Sequence, residues 1–310
     1  MTPLTVYTYV PRNWNASFYY RIFVPFHTAR DLGLPFQLHV DTDSAGVTMD
    51  DRVHRFCESD IIFLYHPIGD GVLHNTRTAK AFLPSLRDGD WKYPPTVVID
   101  GDDNLFNVTP YNQAFRTLGY KDGTGKEMPK GYMIGAVEDG VRRLMWKDGD
   151  DGFDISRNRQ TINAYRGMLE AADLVSCSTR HIKDCLTAEA RILRAEVFPN
   201  LVRFDHYERP RLVQDESKVL ILWQGGASHW EDWWPLRNEI AHVIKKYPQV
   251  HFLIWGQLYN WITNAIPPDR FTFISWCPYQ EYRLRLAMMN HDINLAPLSP
   301  TRFNACRSAI

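Results

Sequence analysis

The chain has 310 residues, 45% of them hydrophobic and 23% charged, with a formal net charge of -1. That length exceeds what one core usually supports and predicts two domains, while the balanced charge provides no global basic field for nucleic acid or an anionic membrane. No apolar run reaches the ~18 residues of a membrane span, and the opening "MTPLTVYTYVPRNW" lacks the basic and apolar regions of a signal peptide, so a cytoplasmic protein is expected.

Taken in chain order, short β-rich runs at 4–10, 36–40, 60–65, 96–100, 174–177 and 195–198 alternate with helical periodicity near 16–32, 50–58, 75–86 and 157–172. Such alternation predicts the α/β class with parallel sheets and helical crossovers. Ser178 and Thr179 follow "ADLVSC" as candidate helix caps. Residues 121–154, with "KDGTGKEMPKG" and "KDGDDGF", interrupt the rhythm and predict a surface insertion around a short helix at 136–145. It reads equally as a lid or as a solvated excursion.

The charged stretch "LVRFDHYERPRLVQDESK" predicts a linker at 204–217, dividing an N-terminal domain of 1–203 from a C-terminal domain of 218–310. Strands are predicted there at 218–223, 250–255, 271–275 and 292–296, with helices at 231–246 and 279–289. Four strands fall short of the roughly six of a doubly wound domain. The second domain is therefore expected to be incomplete, with its last strand an exposed edge available for self-association.

The clearest chemistry lies in "ILWQGGASHWEDWWPL". Gly225 and Gly226 let the backbone approach a ligand, and Ser228 opens a helix whose first amides favour an anion, which suits a diphosphate; an ordinary turn has the same spelling. His229 in that turn can donate to a phosphate or to a leaving oxygen, or simply pack against tryptophan. After the last strand, Arg302, Asn304, Arg307 and Ser308 offer further phosphate donors or a solvated turn. Aromatic residues make up 13% of the chain, which suits ring stacking on a sugar or base as well as core packing. The five cysteines are scattered without zinc-knuckle spacing, so they are read as reduced, packed thiols and no metal site is expected.

The stretch "VVIDGDDNLF" ends a β-branched run in Asp100, Asp102 and Asp103. Asp100 and Asp102 could chelate a divalent cation. Alternatively, Asp100 could attack a phosphoryl group with Asp102 as acid/base, as in haloacid-dehalogenase-like phosphatases, although Asn104 departs from that signature. A third reading puts the acids at the carboxyl end of a parallel strand, where Asp102 or Asp103 would bind hydroxyls or accept a proton. Turn capping is the structural alternative. Tyr20 and Arg21 in "YYRIFVPF" join Asp100 as candidate acceptor contacts, or form part of a core face.

The stretches "ILWQGGASHWEDW", "VHFLIWG", "FISWCPYQEY" and "HDINLAPLSPTRFNACRS", together with "SFYYRIFVPFHTARDLG", "VVIDGDDNLF" and "EAADLVSCSTRHIKD" followed by "VFPN", resemble GT-B glycosyltransferases. The likeness is to the group 1, family 4-like members. The resemblance implies two Rossmann-like domains facing across a cleft, with the acceptor on the first and a nucleoside diphosphate sugar on the second. It also implies sugar transfer without metal or other cofactor, with retention of the anomeric configuration. Retaining members of that group carry two glutamates eight residues apart near the donor, whereas residues 293–310 contain no Asp or Glu. The runner-up expectation is therefore a truncated or split sugar- or nucleotide-binding protein without turnover. The acceptor stays open.

Overall fold

A computed structural model describes residues 3–10, 16–42, 55, 58–65, 67, 95–138, 141–208 and 217–307. The helix expected at 75–86 and nearly all of that at 50–58 lie outside the described residues, as does Ser308. By packing, the chain divides into two units. Met1–Val108, Arg116–Val202 and Ala305–Ile310 form the first, and Thr109–Phe115 with Arg203–Asn304 form the second. The division thus differs in two places from a single boundary near residue 203: a short piece of the first half joins the second unit, and the last residues join the first.

The first unit is built on a six-stranded parallel sheet of order β2-β1-β3-β4-β7-β8. Its strands are β1 Leu4–Val10, β2 Phe36–Thr42, β3 Ile61–Tyr65, β4 Thr96–Gly101, β7 Leu174–Cys177 and β8 Ala195–Val197. Val97 and Ile99 of β4 are fully buried and Val98 nearly so, as expected of a strand in a parallel sheet covered on both faces. The helix predicted after β1 forms in three parts: Ala16–Phe18, a π-helical turn Tyr19–Phe23, and α1 Val24–Asp31. Helix α2, Ile155–Ala171, starts where the Asp154 carboxylate accepts from the Arg157 amide at 2.9 Å. Thr179 caps α3, Arg180–Glu189, by accepting from the Ile182 amide at 3.2 Å, so of the two candidate caps it is the threonine that serves.

The helix expected at 136–145 is instead an antiparallel pair, β5 Met133–Glu138 and β6 Val141–Lys147. The apolar spacing imitates a helix, but Asp139-Gly140 in the sequence is the commoner signal of a hairpin. One Asp148 carboxylate accepts from the Gly131 amide at 2.8 Å and from the Ile155 amide at 2.9 Å, tying the end of this excursion to the start of α2. Those backbone hydrogen bonds, led by that from Ile155, hold the Asp148 carboxyl below its usual range.

The second unit contains a four-stranded parallel sheet of order β11-β10-β9-β12. Its strands are β9 Val219–Gly225, β10 Val250–Gly256, β11 Phe271–Ile274 and β12 Ile293–Leu295. The chain adds β10 and β11 on one side of β9 and then returns to lay β12 on the other. The reversal of strand order between β9 and β12 is where open α/β sheets bind ligands, outside the carboxyl ends. The long helix expected at 231–246 is broken: a turn of helix Trp230–Trp233 gives way to a 3-10 turn Trp234–Leu236 before α4, Arg237–Lys246. Pro235 is the local cause, since its ring removes an amide and crowds the preceding turn. Ile240 and Ile244, four apart on α4, pack into the core with Trp223, Trp233, Phe252 and Ile254. Helix α5, Asn260–Ala265, which the sequence reading missed, buries Ile262 in the same core, and α6 spans Tyr279–Met288.

Candidate functional site

In the second unit, β9 delivers Gly225 and Gly226 to the carboxyl end of the sheet, and the 3-10 turn Ala227–His229 follows directly. The backbone is tightly seated. Gly256, at the end of neighbouring β10, has φ +104°, and a Cβ there would meet the Gly225 carbonyl oxygen at 2.5 Å, so only glycine fits. A Cβ on Gly225 would come within 3.0 Å of both Trp223 and His229. The Tyr259 hydroxyl donates to the Gly226 carbonyl at 3.0 Å. Burial, with Asp232 adding to it, pushes that phenol upward and keeps it a donor.

His229 ends the 3-10 turn of this loop. Its Nδ1 lies 2.8 Å from Asp232, with the two side chains 24% and 1% exposed. The other Asp232 oxygen accepts from the Ser299 amide at 2.8 Å and from the Asn304 amide nitrogen at 2.6 Å. Asn304 also donates to the Ser299 carbonyl at 3.1 Å. Ser299 and Asn304 follow β12, so these hydrogen bonds join the loops leaving β9 and β12 across the point where strand order reverses. A carboxylate so held fixes the ring and its tautomer, and Nε2 is then the nitrogen that a phosphate oxygen would meet.

This arrangement corrects one expected role. Asn304 is buried and committed to Asp232, so it is a brace for the histidine rather than a phosphate ligand. Arg302 is exposed on the same segment, and Ser228 is half-buried beside His229, whereas Arg307 belongs by packing to the first unit. The tryptophans near His229 are mostly engaged with other rings. Trp223 and Trp233 pack edge to face at 4.9 Å, and Trp230 lies between Tyr111 and Trp234, 5.1 Å from each. Trp276, after β11, is different: it is 64% exposed, and its ring would be 3.4 Å from a Cβ on Gly226. The sequence reading passed over it because nothing near "SWCPY" shows that β11 ends beside the glycine loop.

In the first unit, the three acids of β4 separate by role. Asp100 is fully buried and ion-paired with Arg21, whose Nε donates to it at 2.9 Å, and the Ser176 hydroxyl donates to the same carboxylate. Arg21 also donates to the Phe198 carbonyl and, at 3.3 Å, to Asn200. The π-helical turn around Arg21 carries this cation inward. Neither residue reaches solvent, so the expected acceptor contacts at Arg21 and Asp100 are replaced by a structural pair. For the same reason Asp100 presents no nucleophilic oxygen, which removes the phosphatase reading, and both its oxygens are already held by Arg21. Asp102 lies just past the strand, 9% exposed, where the Tyr65 hydroxyl donates to it at 3.3 Å. Burial first, and Asp102 second, raise the Tyr65 phenol well above its ordinary value, so it remains a proton donor to that carboxylate. Asp103 and Tyr20 are half-buried.

No family model and no curated protein sequence matches the chain. Among solved structures, Anabaena Alr3699/HepE in complex with UDP and glucose matches with a TM-score of 0.52 at 12% identity, over 97% of this chain and 76% of that one. An alpha-glucosyltransferase in complex with UDP and a 13-mer DNA containing a HMU base matches with a TM-score of 0.52 at 9% identity, over 93% of this chain and 71% of that one. The fold is GT-B. The HepE complex with UDP-glucose gives the same result, with a TM-score of 0.50 at 12% identity over 93% of this chain and 73% of the other. At such identities the likeness is one of fold. The GT-B chain described here contains no helix, among its described residues, long and apolar enough to cross a membrane.

Proposed function

We propose that the protein is a cytoplasmic glycosyltransferase that moves a sugar from a nucleoside diphosphate sugar, UDP being the first candidate nucleotide, to a separate acceptor. The observation that carries this is His229, held through Nδ1 by a buried and fully braced Asp232 beside the Gly225–Gly226 backbone at the carboxyl end of β9. The GT-B neighbours that contain UDP support the choice of nucleotide. As an imidazolium, His229 would donate Nδ1–H to Asp232 and Nε2–H to an oxygen of the leaving diphosphate, and Arg302 would add positive charge, so charge that develops on departure meets groups already in place. Trp276 offers a face for the base to stack on. Asp102 and Asp103 are the carboxylates for an acceptor hydroxyl, as ligand or as base. In this scheme the transfer needs no metal cofactor, and retention of anomeric configuration is the expected outcome.

Calorimetric titration of the full chain with UDP, GDP and ADP, with and without a chelator, tests the reading. Saturable binding of one nucleotide that persists in the chelator and weakens about tenfold in His229→Ala is expected, a change of ~1.4 kcal/mol. Absence of binding to all three would sink it. A second reading, a non-catalytic split protein that self-associates, draws on the edge position of β12, where Ile293 is 45% exposed. A stable dimer in sedimentation, dispersed by Ile293→Lys and paired with no sugar transfer, would favour it.

A further inference from the structure

Three side chains outside the nucleotide loop come together in the first unit. His181 and Cys185 are four residues apart on α3 and therefore share a face. Cys306 arrives from the far end of the chain, in the turn Asn304–Cys306, and its sulfur lies 3.5 Å from that of Cys185. One ligand atom from each of the three lies within 4.8 Å of the others. We propose that His181, Cys185 and Cys306 form a binding site for a thiophilic divalent cation, zinc foremost, which clamps the C-terminal segment onto α3.

The donor set and its dimensions support the assignment. Two thiolates and an imidazole suit zinc over the oxygen-seeking cations. With metal–sulfur bonds of ~2.3 Å, two sulfurs on a tetrahedral ion stand roughly 3.8 Å apart, close to the 3.5 Å found here. A disulfide would instead require ~2.05 Å. Cys306 is fully buried, Cys185 half-buried and His181 exposed, so the site is closed on the sulfur side and open to entry from the histidine side. Beside the Cys306 thiol lies Asn104, itself fully buried, whose Nδ2 has no other hydrogen-bond partner among the described residues. A metal-bound thiolate would accept from that amide, as outer donors commonly do for ligating sulfur. Binding would displace one proton from each thiol to solvent, and water would complete the coordination.

Its test reads metal uptake and needs no sugar transfer. The reduced full-length protein would be titrated anaerobically with Co²⁺, following the thiolate-to-metal charge-transfer band, and then with Zn²⁺. One equivalent of cobalt giving the band, displaced by zinc and lost in both Cys185→Ser and Cys306→Ser, is expected. Exposed His181→Ala should leave folding unchanged and weaken binding ~10-fold or more, with circular dichroism confirming the fold of each variant. The proposal is overturned if no band forms, or if the band survives loss of either cysteine. It is equally overturned if the reduced protein takes up no metal while air oxidation removes two titratable thiols, which would make the two cysteines a redox pair.

Discussion

The two units each set a carboxylate against a basic side chain near the carboxyl ends of their strands, and the two pairs serve different ends. Arg21 and Asp100 are both fully buried. His229 and Asp232 straddle the surface, the acid buried and the histidine about a quarter exposed. In the first pair both members are buried and their further contacts run to Ser176, Phe198 and Asn200. In the second, buried partners hold only the acid, and the histidine is carried on a glycine loop. The lesson is that a charged pair at the rim of a parallel sheet becomes a candidate catalytic group only when burial stops at one member.

A graded series of substitutions tests that contrast. The largest effect is expected from Asp100→Asn, which strands the Arg21 cation in the core and should cost about 3–5 kcal/mol in urea unfolding. Joint replacement by Arg21→Met and Asp100→Leu should cost much less than the sum of the single changes. An unchanged unfolding midpoint in Asp100→Asn would erase the distinction between the pairs. Next comes Gly256→Ala, which drives a methyl into the Gly225 carbonyl. A loss of ~1–3 kcal/mol is expected, together with weaker nucleotide binding, whereas Gly226→Ala should be tolerated because its methyl would meet only the exposed Trp276 at 3.4 Å.

His229→Ala takes one partner from the buried Asp232 carboxylate and should cost ~1–3 kcal/mol, less than Asp100→Asn, while lowering nucleotide affinity about tenfold. Equal losses of stability in His229→Ala and Asp100→Asn would mean that both pairs are structural. The smallest effect belongs to Glu231, whose carboxyl is raised above its usual value by burial, against the hydrogen bond donated by Thr109 at 2.7 Å. Because the folded state holds the proton more tightly, stability from this group is full below the ordinary glutamate range. It is lost as pH rises through the raised value. Glu231→Gln should therefore raise the melting temperature slightly at neutral pH, and the gain should vanish below pH ~4. A gain that persists in acid would assign the effect to something other than this titration.

Much of the architecture was legible because it is local. Alternating β-branched runs and helical periodicity located all ten strands of the two parallel sheets to within a few residues. Thr179 was identifiable as a cap, and the glycine turn after β9 was already visible at the end of its strand. Local reading failed where two periods compete: the spacing in 136–145 suits a helix, but pairing of β5 with β6 decides for strands. It also failed at Pro235, a visible breaker set within an otherwise convincing helical pattern.

The sequence by itself determined the α/β class, the order of the elements and the residue types gathered at strand ends, because each depends on neighbours within one helix turn or strand. Only the tertiary structure decided which of those residues are spent on one another. Asp100 meets Arg21 across 79 positions, Asn304 meets Asp232 across 72, and Cys306 meets Cys185 across 121. Strand order and crossover geometry create these meetings, and no periodicity along the chain encodes them. That is why Asp100 and Asn304 read as ligand-binding residues in the sequence and emerge as supports in the fold.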